Sequence, residues 1–490
     1  MDRHVKTSGR VYTPAHIVSA MLDYCGYEGA VVLRRHVIDN SCGAGAFLCE
    51  AACRYCRVFV SVHGAVAGLR TELENYVHGI EIDGAARADC IVNLDAAVER
   101  WVKGVQWDIV YGDALSVTRF NGQMDYVVGN PPYVRVHNLA DSYNAVKTFA
   151  FACGGMTDLY LAFFEIGLRM LSDTGKLCYI TPVSWLGSLA AANMRRYIRQ
   201  HACLTGIIDL GHYQPFAATT YTAVTLLDKA GGHYAVDYSV YDTAESVVRH
   251  VDSVALSDMY IDGAFYMADN RTLTMLRDIL LSRGDSYVKV KNGFATLCDH
   301  VFIRGKMPFR EFVIPVIKAS TGKWAECLFP YDENGKPLPM NTLFAVNAVA
   351  DYLTARKSDL LKGRSERECA DWYLYGRTQA LKDVFSPKLA VSPIVKDSPK
   401  LNASPAGTGV YGGLYILSRE PEKEIARIVA SEEFVDYVKA LKGYKSGGYY
   451  TFNARALETY LNYSISKEHG KIRRVDPKQQ GLFERNIDFF

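Results

Sequence analysis

The chain reads as an α/β protein: a Rossmann-like, mostly parallel seven-stranded sheet in the first half, followed by a mixed α+β region. Three observations predict this. Up to about residue 230, short apolar runs alternate with stretches of helical periodicity, the pattern of strands joined by crossover helices. Four successive apolar runs end in glycine, acid or asparagine, as strands do when their ends hold a ligand. Beyond about Gly231 the alternation fades and Lys, Tyr, Gly and Pro become more frequent.

In chain order, the pattern predicts a helix over Ala15–Tyr24, a strand over His36–Asp39 and a helix over Ala46–Arg57. A strand over Val77–Asp83, a helix over Ala85–Ala97 and strands over Asp108–Gly112 and Met124–Val128 follow. Next come a helix over Asp158–Leu171, a strand over Lys176–Thr181 and a helix over Leu189–Arg199. The last two predicted strands, Gly206–Leu210 and Tyr221–Leu227, are close enough in sequence to pair as an antiparallel hairpin. Residues 240–285 read as a connection with one helix around Thr272–Leu281, and Lys396–Gly413 as a long Ser/Pro/Gly loop. The expected organisation is a domain over 1–240, a connecting segment over 241–285 and a second domain over 286–490.

Composition narrows the classes. A chain of 490 residues exceeds one ordinary core, and its 49% hydrophobic and 22% charged content is that of a soluble globular protein. The start, Met1 to Lys6, lacks a signal-peptide core, and no run approaches the roughly 18 apolar residues of a membrane span. Twelve scattered cysteines fit free thiols in a reducing cytoplasm, the expected location. Cys53-Arg54-Tyr55-Cys56 has no second pair to complete a zinc site, so it reads as part of a helix and no metal is expected. Residues 1–285 hold 24 Lys and Arg against 30 Asp and Glu, whereas residues 286–490 hold 31 against 23. A basic second part suggests a polyanionic partner.

Two motifs carry chemistry. Asn130-Pro131-Pro132-Tyr133 follows the strand Met124–Val128. Its asparagine offers a carbonyl acceptor, its prolines stiffen the turn, and its tyrosine offers a flat face for a base. Upstream, Val37 to Leu48 is a strand, a turn with Gly43 and Gly45, and a helix start, which suits close approach of a ligand. A dinucleotide fingerprint would place glycine at Leu48, so NAD is disfavoured. Glu81 at the tip of the second strand suits ribose hydroxyls, and Asp113 after the third suits an exocyclic amine.

Asp39 to Leu48 resembles the cofactor motif of the gamma-class, Taq-like DNA adenine-N6 methyltransferases of restriction–modification systems. Gly9 to Pro14 is similar to that family's N-terminal cofactor segment, and Asn292 to Thr296 to the opening of its target recognition domain. The resemblance implies S-adenosylmethionine held by Tyr12, Thr13, Pro14, Asp39, Ser41, Cys42, Gly43, Gly45, Phe47, Glu81, Ile82, Asp113, Ala114 and Asn130. It implies catalysis by Asn130, Pro131, Pro132 and Tyr133, with Phe216 as a second aromatic, on an adenine flipped out of double-stranded DNA. The first domain would be catalytic and the second the target recognition domain, with Arg377, Lys388, Lys445 and Tyr449 as DNA contacts. Asn40 departs from the proline usual in the motif, and Ala44 from serine. A monomer is expected, with any restriction endonuclease on a separate chain.

Other substrates suit the same tetrapeptide. A protein glutamine amide is the nearest alternative, but such enzymes lack a large basic second domain. RNA guanine is less favoured, and cytosine N4 methylation usually has serine at the Asn130 position. A DNA-binding module without catalysis would not need Asn130, Tyr133, Gly43, Gly45 and Glu81 together.

Overall fold

The computed structural model describes residues 13–136, 143–154, 156–216, 220–362 and 371–474. They fall into two compact units, with the division between Thr274 and Met275.

The first unit is built on a nine-stranded sheet. Helix α1 (Ala15–Tyr24) precedes β1 (Val37–Asp39), which is followed by α2 (Ala46–His63), α3 (Leu69–Tyr76), β2 (Val77–Glu81) and α4 (Gly84–Val98). Then come β3 (Asp108–Tyr111), β4 (Met124–Gly129), α5 (Leu159–Met170), β5 (Leu171–Pro182), α6 (Ala192–His201), β6 (Leu204–Asp209) and β7 (Thr222–Asp228). The strands lie in the order β3-β2-β1-β4-β5-β7-β6, and β8 (Ala235–Asp242) and β9 (Val247–Ala255) extend the edge beyond β6. Strands β1 to β5 are parallel, so the ends of β1, β2, β3 and β4 reach one edge of the sheet. Strand β7 runs antiparallel to both β5 and β6, which gives the expected hairpin.

Burial explains the central strands. Every residue of β1 and β2 is buried, as in a sheet covered on both faces, and β7 is buried through Leu227. One core gathers Ile17, Val18, Met21 and Leu22 of α1 with Leu48, Ala51, Ala52 and Tyr55 of α2 and Val37 of β1. Arg54 ties α1 to α2. Its guanidinium donates to Asp23 Oδ1, Glu50 Oε1, the Tyr27 and Ser19 carbonyls and Ser19 Oγ. Cys53 and Cys56 lie within α2.

Residues 241–285 are more than a connection. They hold β9, the short strands Tyr260–Ile261 and Ala264–Phe265, and the helix Asn270–Leu280. Strand β9 is exposed along most of its length, so no apolar alternation marks it in the sequence.

The second unit is α+β. One four-stranded antiparallel sheet orders Val288–Asn292, Leu414–Ser418, Lys388–Val391 and Leu401–Ser404. A mixed one orders Ile303–Arg304, Lys323–Leu328, Val313–Lys318 and Gly409–Tyr411. A third, of three strands, orders Ile394–Val395, Tyr449–Thr451 and Tyr444–Lys445. The segment Lys396–Gly413, expected as a loop, thus contributes two strands. Both are too short to outweigh their Ser, Pro and Gly neighbours in the sequence. Aromatic residues, including Phe294, Phe302, Phe329, Tyr331 and Tyr375, fill the core of this unit.

Candidate active site

The turn after β1 is shaped by its glycines. Gly43 and Gly45 take φ of 54° and 87°, where side chains are disfavoured. A Cβ on Gly45 would lie 2.7 Å from Cys90 Sγ, so only glycine lets the turn sit against α4. Glu81 closes the turn from β2: one carboxylate oxygen accepts from Gly43 N at 2.9 Å and the other from Asp83 N at 2.8 Å. Each oxygen keeps a further lone pair for a hydroxyl. Beside it, Ile82 is 64% exposed, an apolar face at the sheet edge. Asp113 Oδ1 accepts from Leu115 N at 2.9 Å, and Ala114 is buried.

Asp39 is buried at the end of β1 and accepts from Ser41 N at 3.0 Å. Burial raises its carboxyl to about 7, the Ser41 N–H opposes this, and the charge of Glu81 adds to it. Ser41 Oγ is buried with no hydrogen-bond partner among the described residues. Cys42 and Phe47 are core residues that back the turn. Asn40 turns inward: Tyr179 donates to its Oδ1 at 2.9 Å, so this departure from the family motif is a packing feature.

Strand β4 delivers Asn130. Its Nδ2 donates to Thr13 Oγ1 at 3.1 Å, and its Oδ1 is buried with no partner among the described residues. A buried acceptor without a donor is uncommon in a folded protein and leaves acceptor capacity open at this corner. Pro131 is buried beside it, and Pro132 is partly exposed. The chain then pairs briefly with the segment before α5, through Val136 N to Thr157 O and Leu159 N to Val134 O. Tyr133 is fixed at both ends: its hydroxyl donates to the Ile180 carbonyl at 2.8 Å, and its ring meets Phe216 edge to face with centroids 6.3 Å apart. Phe216 is buried, and the two rings form no parallel slot.

The structure therefore brings Thr13, Asp39, Ser41, Gly43, Glu81, Asp113, Asn130 and Tyr133 to strand ends and adjoining segments of one unit. Tyr12 lies outside the described residues. Gly129, which the sequence reading did not single out, belongs with them. A Cβ there would meet Asp39 Oδ1 at 2.7 Å, and its place directly before the tetrapeptide was the available signal.

In the second unit the four expected DNA contacts separate. Lys445 and Tyr449 face each other across two strands, and both are exposed. Lys396 Nζ lies 5.8 Å over the Tyr449 ring, an addition the sequence did not reveal because the strands that align them are three residues or shorter. Arg377 is exposed. Lys388 is buried, and its ammonium donates to the carbonyls of Asp383, Val384 and Ser386 at 2.7, 2.9 and 2.7 Å. Burial lowers it to about 8. All three of its protons are engaged, so Lys388 is a strut of this unit and not a free phosphate contact.

Strand order gives the first unit a Rossmann-like sheet, and the edge of that sheet carries the Asn-Pro-Pro-Tyr corner. Residues 69–216 match the family described as Eco57I restriction-modification methylase, and the resemblance to type II methyltransferases holds. The chain is 24% identical over 377 residues to the type II restriction enzyme and methyltransferase RM.Eco57I of Escherichia coli, covering 62% of this chain and 36% of that protein. It is 26% identical over 285 residues to the type II methyltransferase M.BstVI of Geobacillus stearothermophilus, covering 54% of this chain and 48% of the relative. The chain thus spans less than half the length of either. Among solved structures, the type IIL restriction-modification enzyme MmeI in complex with DNA aligns with a TM-score of 0.61 at 9% identity, over 92% of this chain and 63% of that one. At that identity the likeness concerns the fold.

Proposed function

We propose that the chain transfers a methyl group from S-adenosylmethionine to N6 of an adenine flipped out of double-stranded DNA, within restriction–modification or as an orphan methylase. The observation that carries this reading is the Oδ1 of Asn130, buried and without a partner among the described residues, in a proline-stiffened corner at the edge where four parallel strands end.

The residues present fit the cofactor. The glycine turn gives close backbone approach, Ser41 Oγ lacks a partner among the described residues, Glu81 keeps acceptor capacity for ribose, and Ile82 offers an apolar face. Tyr12, Thr13 and Pro14 would close the site from the N-terminal segment, and Asp113 and Ala114 from β3. When bound, the cofactor supplies an electrophilic methyl group.

The rest is done by the chain. Asn130 Oδ1 and the Pro131 carbonyl accept the two N6 hydrogens of the flipped base. Two acceptors draw the amine towards tetrahedral geometry and free its lone pair for in-line attack, and the amine then gives up one proton to solvent. Catalysis is positioning and electrostatics. Tyr133 presents a ring face to the base, and Phe216 holds that ring at its edge. The second unit, with its excess of Lys and Arg, acts as the target recognition domain through Lys445, Tyr449 and Arg377.

The names of the relatives attach to restriction–modification, which favours DNA over a protein amide or RNA. A restriction endonuclease is the fitting partner, and a cytoplasmic monomer the fitting state. Among the described residues, no helix is long and apolar enough to cross a membrane.

Methyl transfer from labelled S-adenosylmethionine to unmethylated genomic DNA, with the modified base identified by mass spectrometry, tests the reading. N6-methyladenine is expected, and Asn130→Ala should abolish it while sparing cofactor binding. Unlabelled DNA, or near-normal turnover in the variant, would overturn it.

A further inference from the structure

We propose that Thr13 is a positioning residue that decides which end of the Asn130 amide meets the substrate; this rests on the methyltransferase reading above. The two ends of an asparagine amide have nearly the same shape, so only their hydrogen-bond partners distinguish them. Here the difference is plain. Nδ2 donates to Thr13 Oγ1 at 3.1 Å, and Oδ1 is left buried and unpartnered among the described residues. The reverse orientation would bury both amide hydrogens at the unpartnered end. An unpaired N–H is the rarer and costlier state, so the hydroxyl biases the amide towards an outward carbonyl.

The consequence is chemical. An outward Oδ1 accepts from an amine, whereas an outward NH2 would oppose the amine hydrogens and orient nothing. Thr13 itself is 3% exposed and lies two residues before α1, whose first turn is closed by Ile17 N and Val18 N on the Pro14 carbonyl. Helix α1 is in turn held by the five-bonded Arg54, and His16 Nε2 pairs with the Tyr213 hydroxyl at 3.0 Å after β6. The acceptor corner therefore has two walls, the β4 end and the start of α1, with Thr13 as the link between them.

Thr13→Val keeps the shape and removes the hydroxyl, and Thr13→Ser restores it. In the full chain, Thr13→Val should lower kcat on the order of 10- to 100-fold, the scale of a misoriented reacting group, and by more than it lowers cofactor affinity. Thr13→Ser should recover most of the loss. Wild-type kcat in Thr13→Val, or a loss confined to cofactor affinity, would overturn the assignment. A second readout does not depend on the substrate. In protein labelled with 15N-asparagine, the side-chain amide of Asn130, assigned by its disappearance in Asn130→Ala, should exchange slowly in wild type and Thr13→Ser and rapidly in Thr13→Val. Unchanged exchange in Thr13→Val would overturn the proposal. Should wild type fail to methylate DNA, the functional reading falls, and the amide resonance still decides the role of Thr13.

Discussion

Gly129 and Asp39 lie so close that a Cβ on the glycine would sit 2.7 Å from the carboxylate Oδ1. Gly129 is the last residue of β4, and Asp39 the last of β1, its parallel neighbour. The contact therefore joins the backbone that carries Asn130 to the backbone that opens the glycine turn. Gly129→Ala should force the β4 end and the Asp39 carboxylate apart, because the sheet fixes β4 and Ser41 N holds the carboxylate. We expect destabilisation of about 1–3 kcal/mol, as for overpacking in a core. Cofactor affinity and turnover should fall together, since both sites shift. Calorimetry with S-adenosylmethionine and a methyl-transfer assay check this, and a variant that lost only one of the two would refute the coupling.

Asp39 gives a signature in pH. Burial holds its folded carboxyl near 7, above the usual carboxylate range, so the folded state binds a proton that the unfolded chain has released. Stability from this group is present at low pH and is lost as pH rises through 7, with a slope of at most about 1.4 kcal/mol per unit. Asp39→Asn, which keeps the shape and cannot ionise, should flatten that part of the profile. Denaturant unfolding of both proteins from pH 4.5 to 8 decides the matter; parallel profiles would remove Asp39 as the cause.

Tyr133 separates two roles in one side chain. Its hydroxyl donates to the Ile180 carbonyl, and its ring is the face offered to the base. Tyr133→Phe should cost about 1 kcal/mol of stability, the net worth of one such bond, and retain most activity. Tyr133→Ala should weaken turnover and base capture more than cofactor binding, because base–aromatic stacking contributes about 1–3 kcal/mol. Fluorescence of 2-aminopurine at the target position reads base capture directly. Equal losses in the two variants would mean that the hydroxyl, and not the ring, matters.

Arg54 tests whether α1 matters at a distance. Its five donors engage both helices, and a lysine cannot reproduce that fork. Arg54→Lys should lower stability by about 1–3 kcal/mol, the range for leaving buried partners unsatisfied. Turnover should fall as well, because α1 sets the position of Thr13. Thermal melting alongside the transfer assay checks both, and a stable variant with full turnover would show that α1 needs no such anchor.

What the sequence made legible follows from where its signals lie. Strands β1 and β2 end in Asp39 and Glu81, Asp113 and Asn130 follow β3 and β4 within two residues, and their order along the chain is enough to place them at one edge of a parallel sheet. Strand β9 was not legible, because an exposed strand lacks the alternation that burial imposes. Thr13 was read as a cofactor residue only, since its contact with Asn130 spans 117 positions and no local pattern encodes it. Lys388 is an expected DNA contact only through the resemblance; the three carbonyls that enclose it come from the fold of the turn itself, which no residue type announces.

Lys388 and Lys445 accordingly give opposite predictions. Lys388→Met would take the ammonium donor from the Ser386 carbonyl, while the Asp383 and Val384 carbonyls keep Ser386 N and Gly407 N, and one unsatisfied buried acceptor costs about 1–3 kcal/mol. The expected result is a marked loss of stability and of soluble yield, with the salt dependence of DNA binding unchanged in whatever folds. Lys445 is exposed on a strand opposite Tyr449, so Lys445→Ala should cost at most about 1 kcal/mol of stability, the worth of an exposed contact. It should weaken DNA binding and reduce the slope of log K against log salt by about 1, one phosphate contact fewer. Salt titrations of both variants on the same duplex distinguish a strut from a contact, and an unchanged slope for Lys445→Ala would move the DNA face of this unit elsewhere.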